Sequence, residues 1–234
     1  MEKQIHPDIE ILQIVAKALG DLLENVVFVG GATTTLYIDD PASAQSLATE
    51  DVDCIVELSN LLSFDIFDHK LSKLGFKHPM DGEGAPICRR MLGNIKVDMM
   101  PTDPKFFGFS NRWYPEGVLH KTECVLPNGQ KVYTLSVPFF IATKMEAMRD
   151  RGGNDLRFSH DLEDIILVLS GCSNALSSLK ASPTSVKGYL MDSFAALLKN
   201  PYFEESIDIA LNSRGEDLAR SELVLKIVSE IIKK

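Results

Sequence analysis

The chain has 234 residues, 45% of them apolar and 24% charged, with a formal net charge of −9. That composition suits an ordinary globular protein with one large domain or two modest ones, and the acidic balance argues against a broad, sequence-blind grip on nucleic acid, which needs many phosphate-neutralising cations. The four cysteines are far apart with no CxxC pair, which argues against zinc and a disulfide framework and points to a reducing cytoplasm; no apolar run is long enough for a membrane span and no basic, apolar leader opens the chain, so no membrane partner is expected.

Residues 7–24 carry Leu12, Val15, Leu19, Leu22 and Leu23 on one stripe, which predicts an amphipathic helix. Val26-Val27-Phe28-Val29 reads as a short buried strand closed by Gly30-Gly31, and residues 32–38 as a helical turn despite three consecutive threonines. A strand is expected over 50–57, and a helix over 60–74 closed by Gly75. Asp81-Gly82-Glu83-Gly84-Ala85-Pro86 reads as a plain turn rather than a calcium loop, because no further ligands follow at the right spacing.

Strands near 87–92 and 94–100 meet at Gly93-Asn94, and a second hairpin across Pro127-Asn128-Gly129 pairs 118–126 with 130–135. Ser136 as N-cap and Pro138 near the helix start then open a helical run, with helices near 138–150, 159–170, 184–199, 203–212 and 217–232. Two domains follow from this pattern: an α/β part over 1–135 and a helical part over 136–234.

Chemistry concentrates in three places. Gly30-Gly31 ends a strand and lets backbone approach a ligand closely, with Thr33 or Thr34 able to add a hydroxyl toward a phosphate. Asp51 and Asp53 are one residue apart in an apolar strand, so both point the same way. At roughly 6 Å they repel by under ~1 kcal/mol in water and by more in a drier site. Either solvent or a cation resolves that repulsion. Asp98, in Lys96-Val97-Asp98-Met99-Met100-Pro101, is an acid among apolar neighbours on a third strand. Should that strand pair beside 50–57, three carboxylates meet on one sheet face, an oxygen-rich nest suited to Mg²⁺.

Two basic clusters could form a local groove: Arg89, Arg90 and Lys96, and Lys144, Arg149, Arg151 and Arg157. Scattered surface charge is the simpler account of most of them. Lys144 lies beside the apolar stripe of its helix, three residues after Ile141 and four before Met148. Asp161 and Asp164 share a helix face three residues apart, near a helix start where acids complement the macrodipole.

The ordered set Gly30-Gly31, Asp51-Val52-Asp53 and Val97-Asp98 resembles the nucleotidyltransferase superfamily whose fold is shared with DNA polymerase beta. Ala142-Thr143-Lys144-Met145-Glu146-Ala147-Met148 with Arg151-Gly152, and Ser159-His160-Asp161-Leu162-Glu163-Asp164-Ile165-Ile166, resemble the AbiEii/AbiGii toxin-like nucleotidyltransferases. Gly31 stands where many relatives carry Ser, and Leu47 where members often carry a basic residue four before the first metal aspartate.

The resemblance implies an α+β fold: an N-terminal nucleotidyltransferase domain with a mixed β-sheet flanked by helices, then a C-terminal helical bundle closing the active-site cleft. It implies Mg²⁺ on Asp51, Asp53 and Asp98, and nucleotide contacts from Gly30, Gly31, Thr33, Thr34 and Lys144. Asp161 would belong to the active centre. The reaction would move an NMP from an NTP (ATP, GTP or CTP) to an acceptor hydroxyl and release pyrophosphate. The acceptor would be tRNA or protein, with a cognate antitoxin as a further partner. A small-molecule (antibiotic) adenylyltransferase and an inactive nucleotide- or partner-binding module are the alternatives.

Overall fold

The structure, a computed structural model, describes residues 5–43, 46–58, 61–79, 85–108, 110–152, 155–212 and 218–233. The acidic turn at 81–84 lies outside the described residues. Two compact units divide the chain, one of residues 1–33 and 48–135, the other of residues 34–47 and 136–234. Residues 34–47 therefore cluster with the helices of the C-terminal half, a departure from a simple division at 135.

The first unit is built on a mixed six-stranded sheet in the order β3-β4-β2-β1-β6-β5. Its strands are β1 (Val26–Val29), β2 (Asp51–Val56), β3 (Arg89–Leu92), β4 (Ile95–Pro101), β5 (Lys121–Val125) and β6 (Lys131–Leu135). β2 runs parallel to β4 and antiparallel to β1, while β1 runs parallel to β6. The two hairpins, β3–β4 and β5–β6, form the edges.

Helix α1 (Pro7–Leu19) buries Leu12, Val15, Ala16 and Leu19. It ends earlier than the hydrophobic stripe predicts because Gly20 takes a positive φ of 52°, and a 3₁₀ helix carries the chain from Gly20 to Asn25. A 3₁₀ turn at Gly31–Thr33 leads into the four-residue helix α2 (Thr34–Tyr37), and α3 (Leu61–Lys73) follows β2. The short α4 (Tyr114–Leu119) takes residues expected in a strand, since Pro115 at its first turn presets helical φ.

The second unit contains α2, α5 (Val137–Asp150), α6 (His160–Gly171), α7 (Ala175–Lys180), α8 (Thr184–Leu197), α9 (Phe203–Asn212) and α10 (Leu218–Ile232). Sequence periodicity misses α7, which is too short for a stripe to register. Ser136 occupies the N-cap of α5 in an extended conformation, but its side chain makes no capping bond. Helix α6 is buried on nearly every side, with Leu162, Ile165, Ile166, Leu167, Val168 and Leu169 all at 1% exposure or less, so it is the core of the bundle. Segment 34–47 is tied to its end: the amides of Asp39 and Asp40 both donate to the Gly171 carbonyl, and the Tyr37 and Phe140 rings pack 4.6 Å apart.

Candidate functional site

Strand register brings the three predicted acids together on the sheet of the first unit. Asp53 is the direct neighbour of Asp98 across the parallel β2–β4 pair, and Asp51 is the neighbour of Lys96. Alternation puts Asp51, Asp53, Lys96 and Asp98 on one face. The intervening residues Val52, Cys54 and Val97 point the other way and are fully buried. On that opposite face Arg90, 3% exposed, donates to Asp68 of α3. The division of labour is plain: one face builds core, the other carries charge.

Gly30 is fitted to this arrangement. Its φ is +75°, and a Cβ there would land on the Asp53 carboxylate, 2.9 Å from its Cγ and 3.0 Å from its Cβ. Only glycine allows the β1 turn to run this close to Asp53. Thr33 returns its hydroxyl to the Gly30 carbonyl at 2.9 Å, closing the turn. Thr33 and Thr34 are both fully buried, so neither expected phosphate-facing hydroxyl is open to solvent.

Each acid is held. Asp51 accepts from the Thr49 hydroxyl at 2.5 Å, and the Thr49 amide in turn donates to Asp8 of α1 at 2.9 Å. Asp98, 8% exposed, is gripped on both oxygens by Arg89, whose Nε and Nη2 donate at 2.8 and 2.7 Å. Asp98 and the field of Asp51 raise the affinity of Arg89 for its proton. The acids also affect their neighbours: burial, then the charges of Asp53 and Asp98, push the Cys54 thiol well up, and burial with Asp98 lifts Cys88 to about 11.

Three carboxylates are the right donor type for a hard divalent cation. Among the described residues, however, no three acidic, histidine or cysteine side chains converge closely enough to hold a metal as folded. Asp98 is turned to Arg89 instead. The Gly93-Asn94 turn sets this pairing, because a two-residue connection puts Arg89 directly opposite Asp98. That register can be counted from the sequence, and it turns Arg89 from a member of a basic cluster into the partner of Asp98.

The basic cluster on this unit is engaged residue by residue, Arg89 with Asp98, Arg90 with Asp68 and Lys96 with Glu50.

In the second unit, Lys144 of α5 is 9% exposed and reaches Asp164 at 2.5 Å and Asp161 at 3.4 Å. Arg151 makes a very short ion pair with Asp161, which is 3% exposed. Burial pushes the Asp164 carboxyl up and the Lys144 ammonium opposes that push. Asp164, passed over in favour of Asp161, is thus the nearer partner of Lys144. Arg149 and Arg157 are turned to neighbours of their own, Arg149 to Glu146 and Ser193, Arg157 to Asp155 and Glu205.

No family model and no curated protein matches the chain in sequence. Among solved structures it is similar to an antigenic nucleotidyltransferase-like protein from Paracoccidioides brasiliensis, at a TM-score of 0.51 and 18% identity over 87% of this chain and 93% of that one. JHP933 from Helicobacter pylori overlaps 98% of this chain and 92% of its own at a TM-score of 0.43 and 12% identity, and adds nothing to the fold assignment. The α+β fold with a mixed sheet is thus similar to that of this nucleotidyltransferase-like protein. No helix among the described residues is long and apolar enough to cross a membrane.

Proposed function

We propose that the chain is a Mg²⁺-dependent nucleotidyltransferase. The observation that carries this reading is the cross-strand register of Asp53 with Asp98, with Asp51 on the same face and the Gly30 turn packed against Asp53. Asp51 and Asp53 would hold Mg²⁺ on the triphosphate, and Asp98 would complete a second metal site. When bound, Mg²⁺ would offset triphosphate charge and favour in-line displacement. Asp98, once freed from Arg89, would help take the proton of an acceptor hydroxyl. The hydroxyl oxygen would bond to the α-phosphorus of an NTP (ATP, GTP or CTP) as the bond to the β-phosphate bridge breaks, releasing pyrophosphate. Gly30 and Gly31 would border the phosphates.

The finer reading is a toxin-like enzyme of the AbiEii type in a reducing cytoplasm, acting on tRNA or protein and countered by a cognate antitoxin. Its support is the resemblance of the Lys144 and Asp161–Asp164 segments. The same reading gives Lys144 a nucleotide contact and Asp161 a part in the active centre, beside the role their mutual ion pair already has in building the helical unit. A small-molecule acceptor is the alternative within the class. A metal-independent binding module is favoured by one observation, the engagement of both Asp98 oxygens by Arg89.

Incubation with each labelled NTP, Mg²⁺ and total cell extract tests the proposal. We expect label in RNA or protein, lost in Asp53→Asn with the melting profile retained. Equal transfer by Asp51→Asn, Asp53→Asn and the wild type would overturn it. NTP binding that ignores Mg²⁺, with no transfer, would favour the module.

A further inference from the structure

We infer that Arg89 is the resident counter-cation of the acid face and competes with a divalent metal for Asp98, so that the Arg89–Asp98 pair is a latch on the site. This deepens the metal-dependent reading above and rests on it. Three observations converge. The guanidinium takes both Asp98 oxygens in a two-bond fork, the geometry that orients a carboxylate most firmly. Arg89 stands directly opposite Asp98 in the β3–β4 register, so it lies on the face that carries Asp51 and Asp53. And three carboxylates share the face in register, while one of them, Asp98, has both oxygens engaged by Arg89.

Like charges on one face need a cation, and a guanidinium and a divalent ion offer rival solutions. A metal chelated by Asp53 and Asp98 needs an oxygen that Arg89 now turns toward β3. Metal entry therefore requires the fork to open or slip. The side chains permit it: the Arg89 side chain is 24% exposed and the Asp98 side chain 11%. The pair also keeps the acid face charge-compensated when no metal is bound.

The test is Mn²⁺ binding by the full chain without nucleotide, read by electron paramagnetic resonance of free Mn²⁺ and by calorimetry. Arg89→Gln is expected to bind Mn²⁺ roughly five- to tenfold more tightly than wild type, the size of one partly exposed ion pair released. Arg89→Lys, which keeps the charge but loses the fork, should fall between the two. Adding Asp98→Asn to Arg89→Gln should cancel the gain. Equal or weaker binding by a folded Arg89→Gln, with wild type still binding, would overturn the latch and leave the metal site standing. Failure of wild type and both Arg89 variants to bind Mn²⁺ at millimolar concentration would overturn the metal reading itself. Should Arg89→Gln not fold, the Arg89→Lys comparison decides on the same criterion.

Discussion

Gly30 and Asp53 occupy adjoining space to the exclusion of any side chain at position 30: a Cβ there would sit on the Asp53 carboxylate, and φ at Gly30 is +75°. The β1 turn and the acid on β2 are therefore one feature. Gly30→Ala should lose about 1–2 kcal/mol of stability from the left-handed backbone alone. It should also displace Asp53, so Mn²⁺ binding should fall more steeply than stability. Urea denaturation beside Mn²⁺ titration measures both, and unchanged Mn²⁺ affinity in the variant would show that Asp53 has room to move.

Lys144 anchors the buried charges of the second unit. Replacing it by Met leaves Asp164 in a buried setting without its nearest cation, which predicts a loss of about 3–5 kcal/mol. Adding Asp164→Leu should recover part of that loss, because the orphaned charge goes with it. A double-mutant cycle followed by chemical denaturation gives the coupling, and additive effects would contradict the ion pair.

Gly171 marks a close approach of a different kind. A Cβ there would meet Ser43 Oγ at 2.6 Å and Ile38 Cγ2 at 2.8 Å. Gly171→Val should cost about 1–3 kcal/mol by overpacking. It should also loosen residues 38–43 first, seen as faster amide exchange at Asp39 and Asp40.

Acid should loosen the same segment. The Ser173 hydroxyl and amide, donating at 2.7 and 2.8 Å, hold the Asp39 carboxyl below its usual range. A folded pKa lower than the unfolded one contributes stability above the unfolded value, about 3.9, that is lost as pH falls through the folded value. Because Asp39 is exposed, the effect is screened and should stay under about 1 kcal/mol. Asp39→Asn should melt below wild type at pH 7 and converge with it below about pH 4. A gap that persists at low pH would contradict the assignment.

Thiol chemistry offers an independent check on burial. Cys54 and Cys88 are buried beside Asp53 and Asp98, both thiols are pushed up, and Cys88 reaches about 11. At pH 8 neither should react with a disulfide reagent in the native protein, while Cys124, half-buried on edge strand β5, should react first. Peptide mapping after brief labelling reads the order directly.

Much of the fold was legible because local rules decided it. The helix starts, the Gly93-Asn94 hairpin and the buried run 26–29 all follow from turn chemistry and periodicity. What the periodicity misplaced were short elements: α4, α7 and the end of α1 at Gly20, where a single residue or one turn outweighs the pattern. The pairing of Arg89 with Asp98 could have been counted from the hairpin turn, but its meaning depends on β2 lying alongside β4, which no local signal specifies.

Residue order alone established that Asp51 and Asp53 share a face, since alternate side chains of any extended strand point the same way. It also established the glycine turn and the chemical type of every candidate ligand. Pairing at long range settled the rest: that Asp98 falls level with Asp53, that Gly30 abuts that same acid, that Arg89 takes up Asp98, and that Asp39 and Asp40 bond to the end of α6. These contacts join residues far apart in sequence, so they exist only once backbone hydrogen bonds and core burial have chosen one register out of many.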